Sequence, residues 1–306
     1  MSKQKKYLIL INLFRNIVSY LKIIKKLYFS IINDISYFFL SKKRKKSFTD
    51  NFNELKNLLI KNENFGFLRF SDGELFIIDN QKLEISNNYA KLENKLIGIT
   101  NYSKEETKFF DPNLHQFYRE KLIESLIFKK KNYFKGVPCT CCNGRYYTNL
   151  VKSYDAIDSQ CTYSNLLMNG NYSSFIEEFV DIFKKKKVIF IVSKYANLKD
   201  LPFEIVKHFT IGPNCLINDY DLLNEIDEYI HKNKIKDHLF LFAASSLSNL
   251  LIHKLFRKYE DNTYIDIGSS LNPYLGLEGW KYSRGYLKEY WFKEKPYIHL
   301  NKKCYF

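Results

Sequence analysis

Arg69, Asp72 and Glu74 stand together in the stretch GFLRFSDGELFII, residues 66 to 78, at the end of an aromatic and apolar run from Phe65 to Phe70. Such a run reads as a buried strand, and Gly73 interrupts the pattern just past Asp72. The charges therefore fall at a strand's carboxyl end, the edge of an open α/β sheet where ligands bind. Two carboxylates one residue apart, placed on a loop, have the chemistry to ligate one hard divalent cation, Mg²⁺ or Mn²⁺, that bridges to phosphate oxygens. The plain alternative is a solvated turn in which Arg69 pairs with Asp72.

Two further stretches repeat this placement. In LFLFAASSLSNLL an apolar run passes through Ser245 and Ser246 into a helical pattern. Backbone N–H groups and a positive dipole end there suit a phosphate, although small residues also pack and cap at such turns. In YIDIGSSLNPYLG, Asp266 precedes Gly268 at another expected strand end, with Ser269 and Asn272 as polar groups. Arg284, in YSRGY, either reaches a phosphate or lies exposed.

These motifs together resemble the GT-D type of glycosyltransferase, whose hallmark is an R-F-G-D-G-E segment after the first strand. The likeness spans most of residues 65 to 292, but only the first motif is specific. It implies a Rossmann-like parallel sheet and transfer of a sugar from a nucleotide-sugar donor, such as a UDP-sugar; the basic N-terminal segment suggests a glycan or lipid-linked glycan as the acceptor. By that resemblance Asp72 and Glu74 are metal or diphosphate ligands, with Arg69 beside them; the strand-end residues Ser245, Ser246, Ser269 and Asn272 are further candidates for binding the donor. The base at the acceptor is Asp266 or Glu74. Ser71 stands where the family commonly has glycine. The family's aspartate-isoleucine-glycine-histidine sequence is here Asp266-Ile267-Gly268-Ser269, so the histidine is missing and the acceptor side differs.

Elements must carry these groups to one edge. A helix is expected from Ser47 or Thr49, with Phe52, Leu55, Leu58 and Leu59 on one face. Helices are read over 88–99, 113–129, the amphipathic 169–187, 201–208, 219–233 and 246–258. Strands are read at Phe65–Phe70, in YFKGVPCTC, at VIFIVS (188–193), and in FTIGPNCLI, HLFLFAAS and TYIDIGS. Wholly apolar strands alternating with helices imply a sheet covered on both faces. The fold class is thus α/β: a Rossmann-like, doubly wound, mostly parallel sheet, preceded by a basic apolar N-terminal helical segment. The domains divide as residues 1–48 and a catalytic domain over 49–306.

The net charge of +15 is local. Residues 1–48 hold twelve Lys or Arg against Asp34 alone, while the other 258 residues carry 36 basic and 32 acidic side chains. This near balance of the body argues against nucleic acid as a partner. No uncharged stretch in the segment reaches the ~20 residues of a membrane span, and no small-residue cleavage site follows Tyr7–Phe14. Apolar runs punctuated by Arg15, Lys22, Lys25 and Lys26 suit an anionic membrane interface, or a helix docked on the body or on a partner. The first arrangement gives a cytoplasmic protein, peripheral at the membrane face.

Six cysteines without framework spacing fit a reducing compartment. PCTCC contains one C-x-x-C, Cys139 with Cys142; a structural zinc centre wants a second pair, so neither a metal nor a redox role is expected there. The six histidines are scattered. P-loop, G-x-G-x-x-G and G-x-S-x-G motifs are all missing, which excludes P-loop nucleotidases, classical dinucleotide enzymes and α/β-hydrolases. A methyltransferase and a non-catalytic membrane or nucleic-acid binder stay open at this level.

Overall fold

The structure is a computed structural model, and it describes residues 47–293 and Cys304. The chain divides at Ser47/Phe48. The basic N-terminal segment lies outside the described residues. Among those described, no helix is long and apolar enough to cross a membrane.

The sequence condenses around a seven-stranded, all-parallel sheet. Its strands are β1 (Gly66–Arg69), β6 (Tyr133–Val137), β7 (Cys161–Tyr163), β8 (Val188–Ser193), β9 (Ile205–Ile211), β10 (Leu239–Phe242) and β11 (Thr263–Asp266). The spatial order is β7-β6-β1-β11-β10-β8-β9. Side chains alternate between the two faces, as a strand's period of two requires. Leu68, Ile189, Ile191, Phe240 and Phe242 join one apolar cluster, while Phe67, Val188, Phe190, Val192, Leu239 and Leu241 join the other. Both faces are therefore core, and every residue of β1, β6, β8, β10 and β11 is buried.

Helices cover each face. On the first lie α2 (Asp72–Ile78), α3 (Gln116–Ile127), α4 (Thr140–Ser153, broken by a kink at Gly144), α5 (Leu222–Asn233) and α6 (Leu247–Lys258); on the second lie α1 (Phe48–Ile60) and α7 (Gly285–Trp291). Helix α1 buries Phe48, Phe52, Leu55 and Leu59, a stripe at helical spacing. The amphipathic segment after Asn171 is helical with a π turn at Phe175–Phe179. This is the doubly wound α/β architecture.

Three expectations are corrected. Residues 88–99 are not a helix but an antiparallel hairpin, β3 (Tyr89–Leu92) with β4 (Lys95–Ile99). With β2 (Leu83–Ile85) and β5 (Lys108–Phe110) they form a second sheet of order β4-β3-β2-β5. Leu92, Leu96 and Ile99 mimic a helical stripe, but Glu93 takes φ 51° at the hairpin turn and pairing with β2 wins. Residues 201–208 are likewise not a helix: Ile205 and Val206 begin β9, an edge strand drawn out by β8. That strand ends at Ile211, and Cys215–Asn218 is a helical turn. Finally, Asp72 and Glu74 sit on a helix, α2, and not on a loop.

Candidate active site

Parallel register brings the carboxyl ends of four strands level. Arg69 stands opposite Gly136, and Phe242 opposite Asp266. The chain builds β6 and β7 to one side of β1 and β8 to β11 on the other, so the β1/β11 boundary is the switch point where α/β sheets bind ligands.

Arg69 is the centre of this edge. Its Nε donates to the Asp266 carbonyl (3.1 Å), its Nη2 to Asp266 Oδ1 (3.0 Å), and its Nη1 to Ser164 O (3.5 Å) and Met168 Sδ (3.3 Å). Asp266 Oδ1 also accepts from Gly268 N at 2.9 Å. Both side chains are almost wholly enclosed, 10 % and 4 % exposed. Burial opposes the charge on Arg69, but Asp266, with smaller help from Glu74 and Tyr286, raises the guanidinium pKa overall. The same burial pushes the Asp266 carboxyl above the ordinary carboxylate range, with Arg69 pulling back. At 3.0 Å the contact has the geometry of a charge-assisted pair.

Gly268 makes this packing possible. Its φ of +49° is left-handed, and a Cβ there would stand 2.1 Å from Arg69 Nη2.

Glu74 is also buried and engaged. As the third residue of α2 its Oε2 accepts from Ser71 N at 3.0 Å, half of a capping box, and its Oε1 accepts from Ser246 Oγ at 2.5 Å. Ser246, at the start of α6, is 1 % exposed. Ser245 beside it is half-buried with φ 48°. Asn249, one turn further, donates to the Arg69 carbonyl at 2.8 Å and ties α6 to the end of β1.

Asp72 differs from these. It is exposed, and desolvation, followed by Glu74 and Cys142, raises its pKa against the pull of Arg284 and Asn143. Its Oδ1 accepts from the Asn143 amide, in the first turn of α4. Residues two apart on a helix do not share a face, so Asp72 and Glu74 diverge. Asp72 looks outward while Glu74 is turned into the fold.

Ser269 belongs to the same edge. Its Oγ meets Tyr286 OH at 3.2 Å and accepts from Arg284 Nε at 3.3 Å. Arg284 Nη2 in turn pairs with Glu106 Oε1 at 3.1 Å, so the segment leading into α7 is held against the inserted region. Asn272 closes the turn after Ser269 through its backbone, its N–H bonding Ser269 O at 3.0 Å, and among the described residues no side-chain hydrogen bond ties it to the site.

Sequence reasoning missed Lys108 and Asn143. Lys108, on β5, is half-buried with its Nζ 3.3 Å from where a Gly73 Cβ would stand. Among the described residues no carboxylate pairs with it. No local signal marks either residue, because the inserted sheet and α4 reach the edge only through the tertiary fold.

No protein-family model matches the chain, and no curated relative does. Solved structures with a similar fold include one described as a new glycosyltransferase (DUF1792) from Streptococcus sanguinis, with TM-score 0.50 and 12 % identity over 75 % of this chain and 82 % of that one. Another, described as the highly conserved domain of unknown function 1792 with a distinct glycosyltransferase fold, gives TM-score 0.48 and 13 % identity over 76 % and 79 %. A selenomethionine-substituted DUF1792 structure gives 0.49 and 13 % over the same shares. At such identities the likeness is one of fold: this chain has a Rossmann-like α/β architecture similar to that of the Streptococcus sanguinis structure.

Proposed function

We propose that this chain is a glycosyltransferase that moves a sugar from a nucleotide-sugar donor, a UDP-sugar in the first instance, to a glycan or lipid-linked glycan acceptor. The observation that carries the reading is the setting of Asp72. It is an open carboxylate at the carboxyl end of β1, with the Arg284 cation acting on it, the Lys108 ammonium against the neighbouring Gly73, and a buried Arg69–Asp266 clamp at the same sheet edge. An anionic diphosphate between two basic side chains and a carboxylate is the arrangement that a metal-assisted leaving group asks for. The fold likeness to a structure described as a glycosyltransferase supports it.

The donor set fits a divalent cation, Mn²⁺ or Mg²⁺, in one mode. Glu74 has both oxygens committed to Ser71 and Ser246, whereas on Asp72 only Oδ1 is bonded among the described residues. Magnesium-type sites commonly use one or two carboxylates and complete the shell with substrate phosphates and water. Asp72 would hold the ion, which supplies neutralisation of charge on the departing diphosphate. Lys108 and Arg284 bind the phosphate oxygens, and Asn143 orients the Asp72 carboxylate. Asp266 and Glu74 act as positioning residues instead of as the acceptor base, since at 3 % and 7 % exposure neither reaches an acceptor hydroxyl.

In this reading residues 1–48 keep the enzyme peripheral at an anionic, cytoplasmic membrane face, where their twelve basic residues attract acidic lipids. Removing them leaves donor turnover intact and abolishes pelleting with anionic vesicles.

The direct test is a screen of nucleotide sugars for hydrolysis with and without Mn²⁺, run beside Asp72→Ala and Glu74→Ala. Metal-stimulated turnover of one donor, lost in Asp72→Ala, is expected. Absence of turnover with every donor, or an Asp72→Ala enzyme as active as the parent, overturns the assignment.

A further inference from the structure

Cys139, Cys142 and Cys304 converge next to the candidate active site, although the last two are 162 residues apart in the chain. Their Sγ atoms all lie within 4.8 Å of one another, and those of Cys142 and Cys304 are 4.0 Å apart. A tetrahedral ion with sulfurs ~2.3 Å away sets those sulfurs about 3.8 Å from each other. The cluster is therefore close to a metal-binding arrangement without movement of the backbone.

Local structure explains the convergence. Cys139 is the N-cap of α4 and Cys142 lies in its first turn, where Cys142 N bonds Cys139 O at 3.1 Å. The turn that Cys139 and Cys142 open is short, breaking from the rest of α4 at Gly144 (φ 78°), and it sets both sulfurs to one side. Asn165, 8 % exposed, supplies a second and independent sign. Its Nδ2 donates to Cys304 Sγ at 2.9 Å and reaches Cys142 Sγ at 3.4 Å, while its Oδ1 is buried with no partner among the described residues. A buried amide that leaves its oxygen orphaned in order to aim its donor at sulfur is placed for thiolate acceptors, the usual outer shell of a metal centre. Cys139 and Cys304 are buried and Cys142 is exposed, so a cation has one side from which to enter.

We propose that Cys139, Cys142 and Cys304 bind one soft divalent cation of the zinc class, with the fourth position taken by water or a further ligand. Three thiols give up their protons to solvent as the ion loads, so uptake strengthens with rising pH. The ion pins Cys304, beyond α7, to the start of α4. It also fixes Asn143, the residue after Cys142, whose amide holds Asp72. Sequence spacing hid the site because its third ligand lies far from the C-x-x-C pair.

The test uses the full chain, purified under reductant without chelator. Elemental analysis is expected to find one zinc per chain, and Co²⁺ replacement a thiolate-to-cobalt charge-transfer band with strong tetrahedral ligand-field absorption. Cys139→Ser and Cys304→Ser lose the ion, whereas Cys161→Ser and Cys215→Ser keep it. The exposed position guards against simple misfolding: Cys142→His retains cobalt with a weaker thiolate band, Cys142→Ala does not, and both melt cooperatively. Asn165→Ala weakens metal affinity about 10- to 100-fold. A reduced wild-type chain that carries no zinc and gives no cobalt band overturns the proposal. So does a Cys304→Ser chain that binds cobalt as the parent does, or a Cys142–Cys304 disulfide whose reduction yields no cobalt uptake.

Discussion

Arg69 reaches across the β1/β11 boundary and donates to Asp266 twice, to its carbonyl at 3.1 Å and to its carboxylate at 3.0 Å. The same guanidinium touches Ser164 and Met168 beyond β7. One side chain thus sets the relative height of three loops at the sheet's carboxyl edge. Its role is to shape the floor on which Asp72, Lys108 and Ser269 are arranged.

Arg69→Met removes one partner of a buried ion pair and leaves Asp266 uncompensated, which costs about 3–5 kcal/mol. Urea unfolding is expected to show that loss as a lower midpoint with the slope unchanged. Asp266→Asn in the Arg69→Met background recovers part of it, because the stranded charge is gone. If Arg69→Met unfolds at the parent's midpoint, the clamp contributes nothing.

Glu74 joins α2 to α6 through Ser246. Glu74→Ala deletes the cap interaction, worth ~1 kcal/mol, and strands a buried hydroxyl at about 1–3 kcal/mol. Ser246→Ala in that background adds little further loss, so a double-mutant cycle should give a coupling of roughly 1 kcal/mol. Additive losses would show that the 2.5 Å contact is not energetically real.

The sheet's centre was legible because its strands are apolar on both faces. VIFIVS is β8 residue for residue, and the runs around Phe67, Leu241 and Ile265 are strands as read. Patterns failed at edges, where exposure lets helix-like spacing survive in a strand, as in Leu92–Ile99 and in β9. The helical setting of Asp72 and Glu74 did carry a signal, since Ser71-Asp72-Gly73-Glu74 is an S-x-x-E capping box that Gly73 masked as a loop. Lys108, Asn143 and Cys304 had no such signal. Each arrives from a remote element, and only the folded chain puts Lys108 against Gly73, Asn143 on Asp72 and Cys304 beside the Cys139–Cys142 pair.

Asp72 makes stability depend on pH in a definite direction. Its folded-state pKa is raised, first by desolvation and then by Glu74, so the native state keeps this proton to higher pH than the unfolded chain does. The stabilising contribution is complete below the unfolded value, near ~3.9, and is lost as pH rises through the folded one. Asp72→Asn cannot ionise and escapes the loss. It is expected to melt above the parent at neutral pH and to converge with it in acid, while failing to gain the thermal shift that Mn²⁺ with a nucleoside diphosphate gives the parent. A variant that melts below the parent at neutral pH would contradict the sign.

Two glycines at the site separate space from function. At Gly268 the backbone is left-handed, and an added Cβ would meet Arg69 Nη2 at 2.1 Å and Met168 Cε at 2.9 Å. The guanidinium is anchored on Asp266 and cannot swing aside, so Gly268→Ala costs more than about 4 kcal/mol or prevents folding. At Gly73 the obstacle is only Lys108 Nζ at 3.3 Å, the free end of a flexible side chain. Within α2, alanine is up to ~1 kcal/mol better than glycine, so Gly73→Ala should melt at or slightly above the parent temperature. Displacing Lys108 removes a cation from the expected path of the diphosphate, and the donor KM should rise several-fold with kcat less affected. Lys108→Met should reproduce the rise in KM without the gain in stability. If both variants keep the parent's KM, Lys108 has no part in holding the donor.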